Sequence, residues 1–483
     1  MSGRGLATSV SVAIVAACAA EPPRPERAPP VLAASAPVTA PVPALPVRTL
    51  LDAARPHFPP PGASGVCRDA ALSLALSGAV SLGASGAIRV LDVESGAVVD
   101  ELELGSAGHS DVIGGRTFRI ASPVVVEAGF VHVRPRSGAL RANRTYAVTV
   151  DDGVLLDGGA RSLGALGDTN AWRFTTRDPS PKSPAELVVA ADGSGDFCSV
   201  QAAFDFVPAG NATPVVIAVK RGTYREIVFV ENKGNITLRG EDRAATRIAA
   251  VNNENLQNKQ GSKVRALVGF ENVHDLVIEN LTLQNLTPQG GSQAEALRVD
   301  PGERVVLRDA AFLSRQDTLL LTGSVYVRDS YVEGNVDYVW GKGTAYFERV
   351  ELKTVGRAGW NVQARNPPER FGYVFVDSVL GADQDVSGHF LARIDAERFP
   401  GSHVAYVGCR MAPAIAEAGW EITPPGSRAA RGVRFWEADS TDLAGNPLVL
   451  SKRHPAARRL TRAEAAKMRD KKHVFGGWDP EAK

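Results

Sequence analysis

Apolar and polar residues alternate with a period of two in one region of this chain of 483 residues. Between residues 51 and 178, short runs such as Gly129–Val133 and Thr145–Val150 are separated by glycine, aspartate and asparagine. A period of two is typical of strands with one buried face, and short strands at close spacing favour an antiparallel sandwich. We therefore predict a small β-sandwich for residues 51–178.

A different pattern, an eight-residue segment that occurs six times, lies within residues 185–483. Each segment has apolar residues at its first, third and eighth positions and a polar residue or glycine at its fifth. The starts are 29, 20, 20, 28 and 31 residues apart, so a unit of about 20 residues is lengthened by loops. Units of this length stack in β-solenoids, and we predict an all-β, right-handed parallel β-helix. The segments are Leu276–Leu283, Val305–Phe312, Val325–Val332, Ala345–Leu352, Tyr373–Leu380 and Val404–Met411.

The first 18 residues have the pattern of an export signal. Arg4 precedes an apolar stretch, Leu6–Ala17, which is too short to span a bilayer but has the length of a signal-peptide core. Its end, Val-Ala-Ala-Cys18, resembles a bacterial lipoprotein box and implies that Cys18 is lipidated. We expect an outer-membrane or cell-surface lipoprotein; a secreted protein with a chance cysteine is the alternative. Residues 19–50, rich in proline and alanine, are predicted to form an unfolded linker.

Charge and cysteine content exclude several functions. With 54 basic and 53 acidic side chains the net charge is +1, which argues against nucleic-acid binding. The remaining cysteines, Cys67, Cys198 and Cys409, are odd in number and far apart, so we predict neither a disulfide framework nor a zinc site. The sequence has no GxSxG elbow, and none of its eight histidines lies beside a candidate serine nucleophile, which disfavours a Ser-His-Asp hydrolase.

Two aspartates are placed by the repeat. Asp317 and Asp337 each lie twelve residues after the start of a segment, one 20-residue unit apart. Matching positions in neighbouring coils stack at about 4.8 Å, and two carboxylates that close do not ionise independently. Such a pair suits an acid/base group beside a carboxylate nucleophile, although solvated turn aspartates are the alternative. The same count places Leu297 in line with both aspartates, so we expect Gln293 to approach from a loop.

Motifs in the same region carry a resemblance to a known family. The sequence has GxYxE at Gly222–Glu226, QAxAL at Gln293–Leu297, QDTL at Gln316–Leu319 and a variant of VDFIFG at Val336–Gly341. Together, and in this order, they resemble the pectinesterases (pectin methylesterases), the eighth family of carbohydrate esterases. The resemblance implies a right-handed parallel β-helix and hydrolysis of homogalacturonan methyl esters to pectate and methanol. The layout of residues 51–178 resembles bacterial Ig-like modules.

The resemblance also implies a role for each site residue. Asp337 would be the nucleophile, and Asp317 the general acid and then the base. Gln293 and Gln316 would donate hydrogen bonds to the oxyanion of the tetrahedral intermediate. Arg393 would hold Asp337 ionised and oriented.

One position departs from the family pattern. The LGRPW motif corresponds to Leu391–Asp395, so Asp395 occupies the tryptophan position that would stack on a sugar. We predict that Trp340, Tyr338 and Arg365 bind the substrate, with packing of the core as the alternative for Trp340. The sequence offers two further candidate ring surfaces, Trp360 and Trp420.

The expected partner is pectin, that is, homogalacturonan. We expect a monomer that needs no cofactor or metal and contacts the membrane only through its lipid anchor. Two other functions stay open: an esterase or thioesterase acting on another acyl substrate, and a non-catalytic binder of surface polysaccharide.

Overall fold

A computed structural model describes residues 58–106, 109–127 and 129–482. The predicted signal sequence with Cys18, and the linker at residues 19–50, lie outside the described residues. Within the described part of the chain, no helix is both long enough and apolar enough to cross a membrane.

Residues 58–178 form mostly antiparallel sheets around their own core. A five-stranded sheet has the order β1-β12-β10-β4-β5, with only β1 and β12 parallel, and a three-stranded sheet has the order β2-β9-β8. Val90, Val148 and Trp172 are among the residues buried in the core. The Ig-like assignment and the boundary at 178 stay predictions. The strands are β1 Ala63–Cys67, β2 Leu72–Ala75, β3 Val80–Leu82, β4 Ala87–Asp92, β5 Val98–Glu103, β6 His109–Ile113, β7 Arg116–Ile120, β8 Val124–Glu127, β9 Phe130–Val133, β10 Thr145–Val150, β11 Leu155–Asp157 and β12 Arg173–Arg177.

From residue 186 the chain is a parallel β-helix, as the repeat predicts. Its strands are β13 Glu186–Val189, β14 Val215–Val219, β15 Gly222–Tyr224, β16 Val228–Glu231, β17 Gly234–Gly240, β18 Thr246–Ala250, β19 Val268–Glu271, β20 Val273–Glu279, β21 Thr282–Asn285, β22 Leu297–Arg308, β23 Ala311–Leu313, β24 Leu319–Arg328, β25 Tyr331–Gly334, β26 Val336–Gly341, β27 Thr344–Glu348, β28 Glu351–Thr354, β29 Trp360–Ala364, β30 Tyr373–Val376, β31 Val379–Ala382, β32 Phe390–Asp395, β33 His403–Val407, β34 Arg410–Met411, β35 Trp420–Thr423, β36 Arg434–Ala438, β37 Thr441–Asp442 and β38 Arg458–Arg459.

The strands stack into three parallel sheets. Sheet A contains β16, β19, the first parts of β22 and β24, then β26, β29, β32 and β35. Sheet B contains β13, β14, β17, β20, the second parts of β22 and β24, then β27, β30, β33, β36 and β38. Sheet C contains β15, β18, β21, β23, β25, β28, β31, β34 and β37.

The six repeat segments pair in the predicted register. Val305 pairs with Val325, which pairs with Ala345, and the eighth positions pair likewise from Leu283 to Met411. The fifth position is the bend between sheets B and C, where the backbone is left-handed. Asparagine and aspartate tolerate this conformation better than most other non-glycine residues, which explains the polar residue or glycine there. The bend residues are Asn280, Asp309, Asp329, Arg349, Asp377 and Gly408, with φ between 48° and 68°.

Matching side chains also stack inside the solenoid. The third repeat positions form an aromatic column in which Phe347, Phe375 and Tyr406 lie with ring centroids 4.4 and 4.7 Å apart. These separations are close to the spacing of about 4.8 Å between neighbouring strands, so the column follows directly from the register.

Helices cover the entry of the solenoid and one of its outer faces. The short helix α1 (Val200–Phe206) covers the entry, and the Glu226 carboxylate of the GxYxE motif accepts hydrogen bonds from the Val200 and Gln201 N–H groups at its N-terminus, at 2.8 and 3.1 Å. This motif therefore has a structural role. A further helix, α2 (Ser262–Arg265), precedes β19. Near the C-terminus, α3 (Arg462–Arg469) and α4 (Lys471–Val474) cover the outer face of sheet B, after a 3-10 turn at Arg428–Gly432.

A disulfide joins the two β regions, contrary to the prediction of no disulfides. Cys67 ends β1 and Cys198 precedes α1, with their Cα atoms 5.9 Å apart. The Asp69 carboxylate accepts hydrogen bonds from the Cys198 and Ser199 N–H groups, which fixes the two segments against each other. The prediction failed because a pair 131 residues apart in sequence is brought together only by the packing of the two regions. Cys409 is a buried free thiol.

We expect Cys67→Ser to lower the free energy of unfolding by about 2–5 kcal/mol, because the bridge restricts a long loop in the unfolded chain. The measurement is guanidinium unfolding followed by circular dichroism, with and without reductant. Cys409→Ala is the matched control: it keeps the bridge, so reductant should destabilise it as it does the wild type. A Cys67→Ser variant that reductant still destabilises would contradict the pairing.

Candidate active site

Asp317 and Asp337 lie side by side on the outer face of sheet A. Asp317 lies two residues before the start of β24 and Asp337 is in β26, and the pairing of Leu319 with Val339 aligns them in neighbouring coils. Both have a left-handed backbone, with φ of 64° and 47°. This conformation is uncommon for a residue with a side chain and is often found at functional sites. The two carboxylates are therefore neighbours, as the 20-residue spacing predicts.

The residue in line with them one coil earlier is Glu295, not Leu297 as predicted. Leu297 pairs with Leu319, an offset of 22 residues, and the Ala296 N–H donates to the Thr318 carbonyl at 2.9 Å in the same register. The offset falls to 20 only further along the strand, through two irregularities in the pairing. The count from the repeat segments does not detect these two extra residues.

Asp337 is held by an arginine that lies two coils further along the solenoid. Arg393, in β32, donates from Nε and Nη2 to the carboxylate, with an Nε–Oδ1 distance of 2.9 Å. The guanidinium lies 3.9 Å from the ring centroid of Trp360, which packs against it. The Gln363 amide also donates to Asp337 Oδ2, at 3.3 Å. A two-pronged ion pair with this support fixes the direction of the Asp337 carboxylate.

Asp317 has a different environment. Arg265, at the end of α2, donates from Nη2 to Asp317 Oδ2 at 2.9 Å, but the same guanidinium also binds Glu295 and Glu254. Burial raises the pKa of Asp317 well above its ordinary value of 3.8, the Glu295 carboxylate raises it further, and Arg265 opposes both. The Asp317 carboxyl group is thus suited to carry a proton next to the ion-paired Asp337.

The two glutamines lie at the rim of this pair. Gln293 is in the loop before β22, as expected, and Gln316 directly precedes Asp317. Both are partly exposed, and within the described residues neither side-chain amide makes a hydrogen bond. Their N–H groups are available to an incoming oxygen atom.

The predicted substrate-binding residues divide into two kinds. Trp340 and Arg365 are partly exposed on sheet A, and the Arg365 guanidinium stacks 4.6 Å from the Trp340 ring centroid. Tyr338 is wrongly predicted: it is fully buried in the solenoid core, and its hydroxyl donates to Asn361 Oδ1 at 3.0 Å. An irregularity between Val336 and Val339 turns Tyr338 inward, which simple alternation does not reveal.

The remaining candidate ring surfaces are also occupied within the protein. Trp420 is buried and stacks on Phe435 at 4.7 Å, so it does not reach the site. Trp360 supports Arg393 instead of offering a free face. Asp395, at the position of the missing tryptophan, accepts hydrogen bonds from the Glu397 and Arg398 N–H groups in a turn.

Three contacts were missed by sequence reasoning. Arg265 belongs to no motif, and its contact with Asp317 depends on where α2 packs. Glu295 lies at the variable position of the QAxAL motif, and the coil count placed Leu297 instead of Glu295 in line with the aspartates. Gln363 lies two residues before Arg365, and its alternation within β29 is the one signal that could have revealed it.

The fold and the site define a class: a β-helix protein with a hydrolase-type site of two unlike carboxylates flanked by free amide donors. The sequence matches the family described as pectinesterase over residues 186–397. Pectinesterase 31 of Arabidopsis thaliana is 35% identical over 215 residues, covering 42% of this chain and 68% of that protein. Pectinesterase 2 of Olea europaea is 30% identical over 311 residues, covering 61% and 81%. The chain belongs to the pectinesterase family.

A solved structure shows the same fold. The pectin methylesterase from carrot aligns with a TM-score of 0.54 at 24% identity, over 62% of this chain and 95% of the other. The aligned fold is the parallel β-helix, in agreement with the prediction from the repeat.

We expect Asp317→Asn to change how stability depends on pH. A carboxyl group whose folded-state pKa is raised contributes stability that is present below the ordinary value and lost as pH rises toward the folded value. Asparagine does not titrate, so the variant lacks this loss. Its free energy of unfolding relative to wild type should therefore increase above about pH 4, by about 1.4 kcal/mol per pH unit, until the pH passes the pKa of Asp317 in the folded protein. Urea unfolding at a series of pH values measures it, and a difference independent of pH would contradict it.

Proposed function

We propose that this protein hydrolyses the methyl esters of homogalacturonan, releasing methanol and leaving pectate. The single observation that carries the proposal is the pair of unlike carboxylates, Asp317 and Asp337, stacked in neighbouring coils beside two free amide donors. Membership of the pectinesterase family supports the choice of substrate.

In the first half of the reaction, an Asp337 oxygen attacks the ester carbonyl carbon. Negative charge collects on the carbonyl oxygen, where the Gln293 and Gln316 amides donate hydrogen bonds. When the intermediate collapses, Asp317 gives its proton to the methoxy oxygen and methanol leaves. The galacturonosyl carboxyl carbon is then bound to Asp337 as an anhydride.

In the second half, water replaces the leaving group. Asp317, now ionised, takes a proton from water, and the hydroxide attacks the anhydride carbon. The bond to Asp337 breaks, which restores its carboxylate and releases the free galacturonate. Arg393 stabilises the Asp337 carboxylate as the leaving group and fixes its direction for the next attack.

A second candidate is hydrolysis of another acyl ester or thioester. It is favoured by one observation: Asp395 lies where the family motif has tryptophan, while Trp360 and Trp340 are stacked on arginines. A guanidinium therefore covers part of each of these two rings, and the position of the family tryptophan offers no ring at all. The same two-carboxylate chemistry would serve either substrate.

We expect the purified protein to release methanol from methylated pectin. Asp317→Asn should lower kcat by about 10²–10⁴-fold, since it removes a general acid. Gln316→Ala should lower kcat by about 10²–10³-fold, since it removes an oxyanion donor. Asp337→Asn should abolish turnover. Methanol release is measured enzymatically, alongside the rates on acetylated pectin and an acyl thioester.

Asp309→Asn is the matched control, because Asp309 is a bend residue of the same solenoid outside the site. It should retain wild-type kcat. Release of acyl groups from the thioester but no methanol would favour the second candidate. No turnover of any ester, with pectin binding unchanged in Asp337→Asn, would indicate a non-catalytic binder.

We further propose that the protein is exported and held at a membrane by a lipid on Cys18, and that it acts as a monomer. Export is supported by the apolar segment Leu6–Ala17 and by the Cys67–Cys198 bridge, since disulfides form in oxidising compartments. A monomer is supported by a site whose carboxylates, amides and arginines all come from one chain.

We expect Cys18→Ser to move the expressed protein from the membrane fraction to the soluble exported fraction. The reason is that an acyl anchor holds a protein to the bilayer, and serine has no thiol to be lipidated. Fractionation with immunodetection measures it, and Cys409→Ala is the control. Equal distribution of wild type and Cys18→Ser would contradict lipidation.

A further inference from the structure

A third carboxylate is buried beside the catalytic pair. Glu295 lies one coil before Asp317 at the same position of sheet A, and its side chain is 0% exposed. Burial of a charged carboxylate costs free energy, and a buried ion pair is weak evidence for stability. The position of Glu295 next to the general acid suggests a part in the chemistry instead.

The Arg265 guanidinium donates hydrogen bonds to three carboxylates. Arg265 donates from Nη2 to Glu295 at 2.7 Å and to Asp317 at 2.9 Å, and from Nη1 to Glu254 at 3.0 Å. Arg393, in contrast, is bound to Asp337 alone among the carboxylates of the described residues. Asp337 thus has a cation of its own, whereas Asp317 shares one with two competitors.

We propose that Glu295, through Arg265, keeps the proton on Asp317 and so sets the upper pH limit of ester hydrolysis. This inference rests on the proposed function. Neither residue is required to touch the substrate, so both are positioning residues. Glu295 occupies Arg265 and adds negative charge, and both effects disfavour the ionised form of Asp317.

Some of the other charged groups around Asp317 favour its ionisation and others disfavour it. Asp337, from β26, disfavours its ionisation, and Arg365, after β29, favours it. Glu254 competes for Arg265, and Arg298 acts on Glu295. After burial, Glu295 makes the largest contribution to the raised pKa of Asp317, ahead of Arg265 and Asp337. Among the charged neighbours, Glu295 is therefore the one whose removal should change the protonation of Asp317 most.

The test is the pH profile of kcat/KM on methylated pectin. Glu295→Gln removes the negative charge with little change of shape, so that Arg265 no longer forms an ion pair with residue 295 and interacts more strongly with Asp317. We expect the alkaline limb to move to lower pH by about one unit, an approximately tenfold loss on that limb, with the acid plateau retained. Arg265→Met should move the same limb to higher pH, because it removes the cation that favours ionised Asp317.

Glu437→Gln is the matched control. Glu437 is a buried carboxylate, 3% exposed, paired with Arg453 at 2.8 Å in the last coils of the solenoid. It should lower stability without moving the pH profile. A Glu295→Gln variant that loses activity equally at all pH values, or whose alkaline limb does not move, would overturn the proposal.

A second readout separates this inference from the proposed function. Urea unfolding at a series of pH values gives the difference in free energy of unfolding between Asp317→Asn and its parent. This difference should level off at a lower pH when the parent is Glu295→Gln than when it is the wild type. If wild type releases no methanol, the proposed function fails and this measurement still tests the pair. If Glu295→Gln does not fold, the double variant Glu295→Gln/Arg265→Met, which removes both charges, replaces it. The alkaline limb of its pH profile, or the pH at which its stability difference levels off, should be displaced from wild type by less than in Arg265→Met alone. An equal displacement in the two variants would overturn the proposal.

Discussion

The lateral stacking of equivalent residues in successive coils is the constraint on which this structure depends. Parallel pairing at a fixed offset puts each repeat position against its own equivalent, at about the 4.8 Å strand spacing. The aromatic column of Phe347, Phe375 and Tyr406, the left-handed bends and the Asp317–Asp337 pair are all products of this pairing. The same rule that fills the core therefore also brings two carboxylates together on the surface.

Stacking makes the two aspartates alike, and their neighbours make them different. Both have the same uncommon backbone conformation and the same place in a coil. Asp337 faces an arginine that pairs with no other carboxylate of the described residues, while Asp317 is buried beside Glu295 and shares Arg265. The difference between the two carboxyl groups comes from side chains of the flanking coils and of α2, and not from the repeat itself.

The sequence alone predicts much of this structure. The fold followed from the spacing of apolar positions, and the Asp317–Asp337 pair followed from a spacing of 20 residues, since both depend on the local period alone. The predicted positions of Leu297 and Tyr338 are wrong because irregularities in the pairing of β22 and β26 shift the register by residues that no pattern shows. The Cys67–Cys198 bridge was missed because it depends on how two β regions pack.

The sequence by itself determined the coil architecture, the position of Asp317 beside Asp337 and the contact of Arg393 with Asp337, because each is tied to a repeat or a motif. The tertiary structure alone decided which side chains surround that pair. Arg265 comes from a short helix 52 residues before Asp317, and Gln363 from a coil beyond Asp337. Contacts between such distant segments depend on loop lengths and packing, which hydrophobic periodicity does not encode.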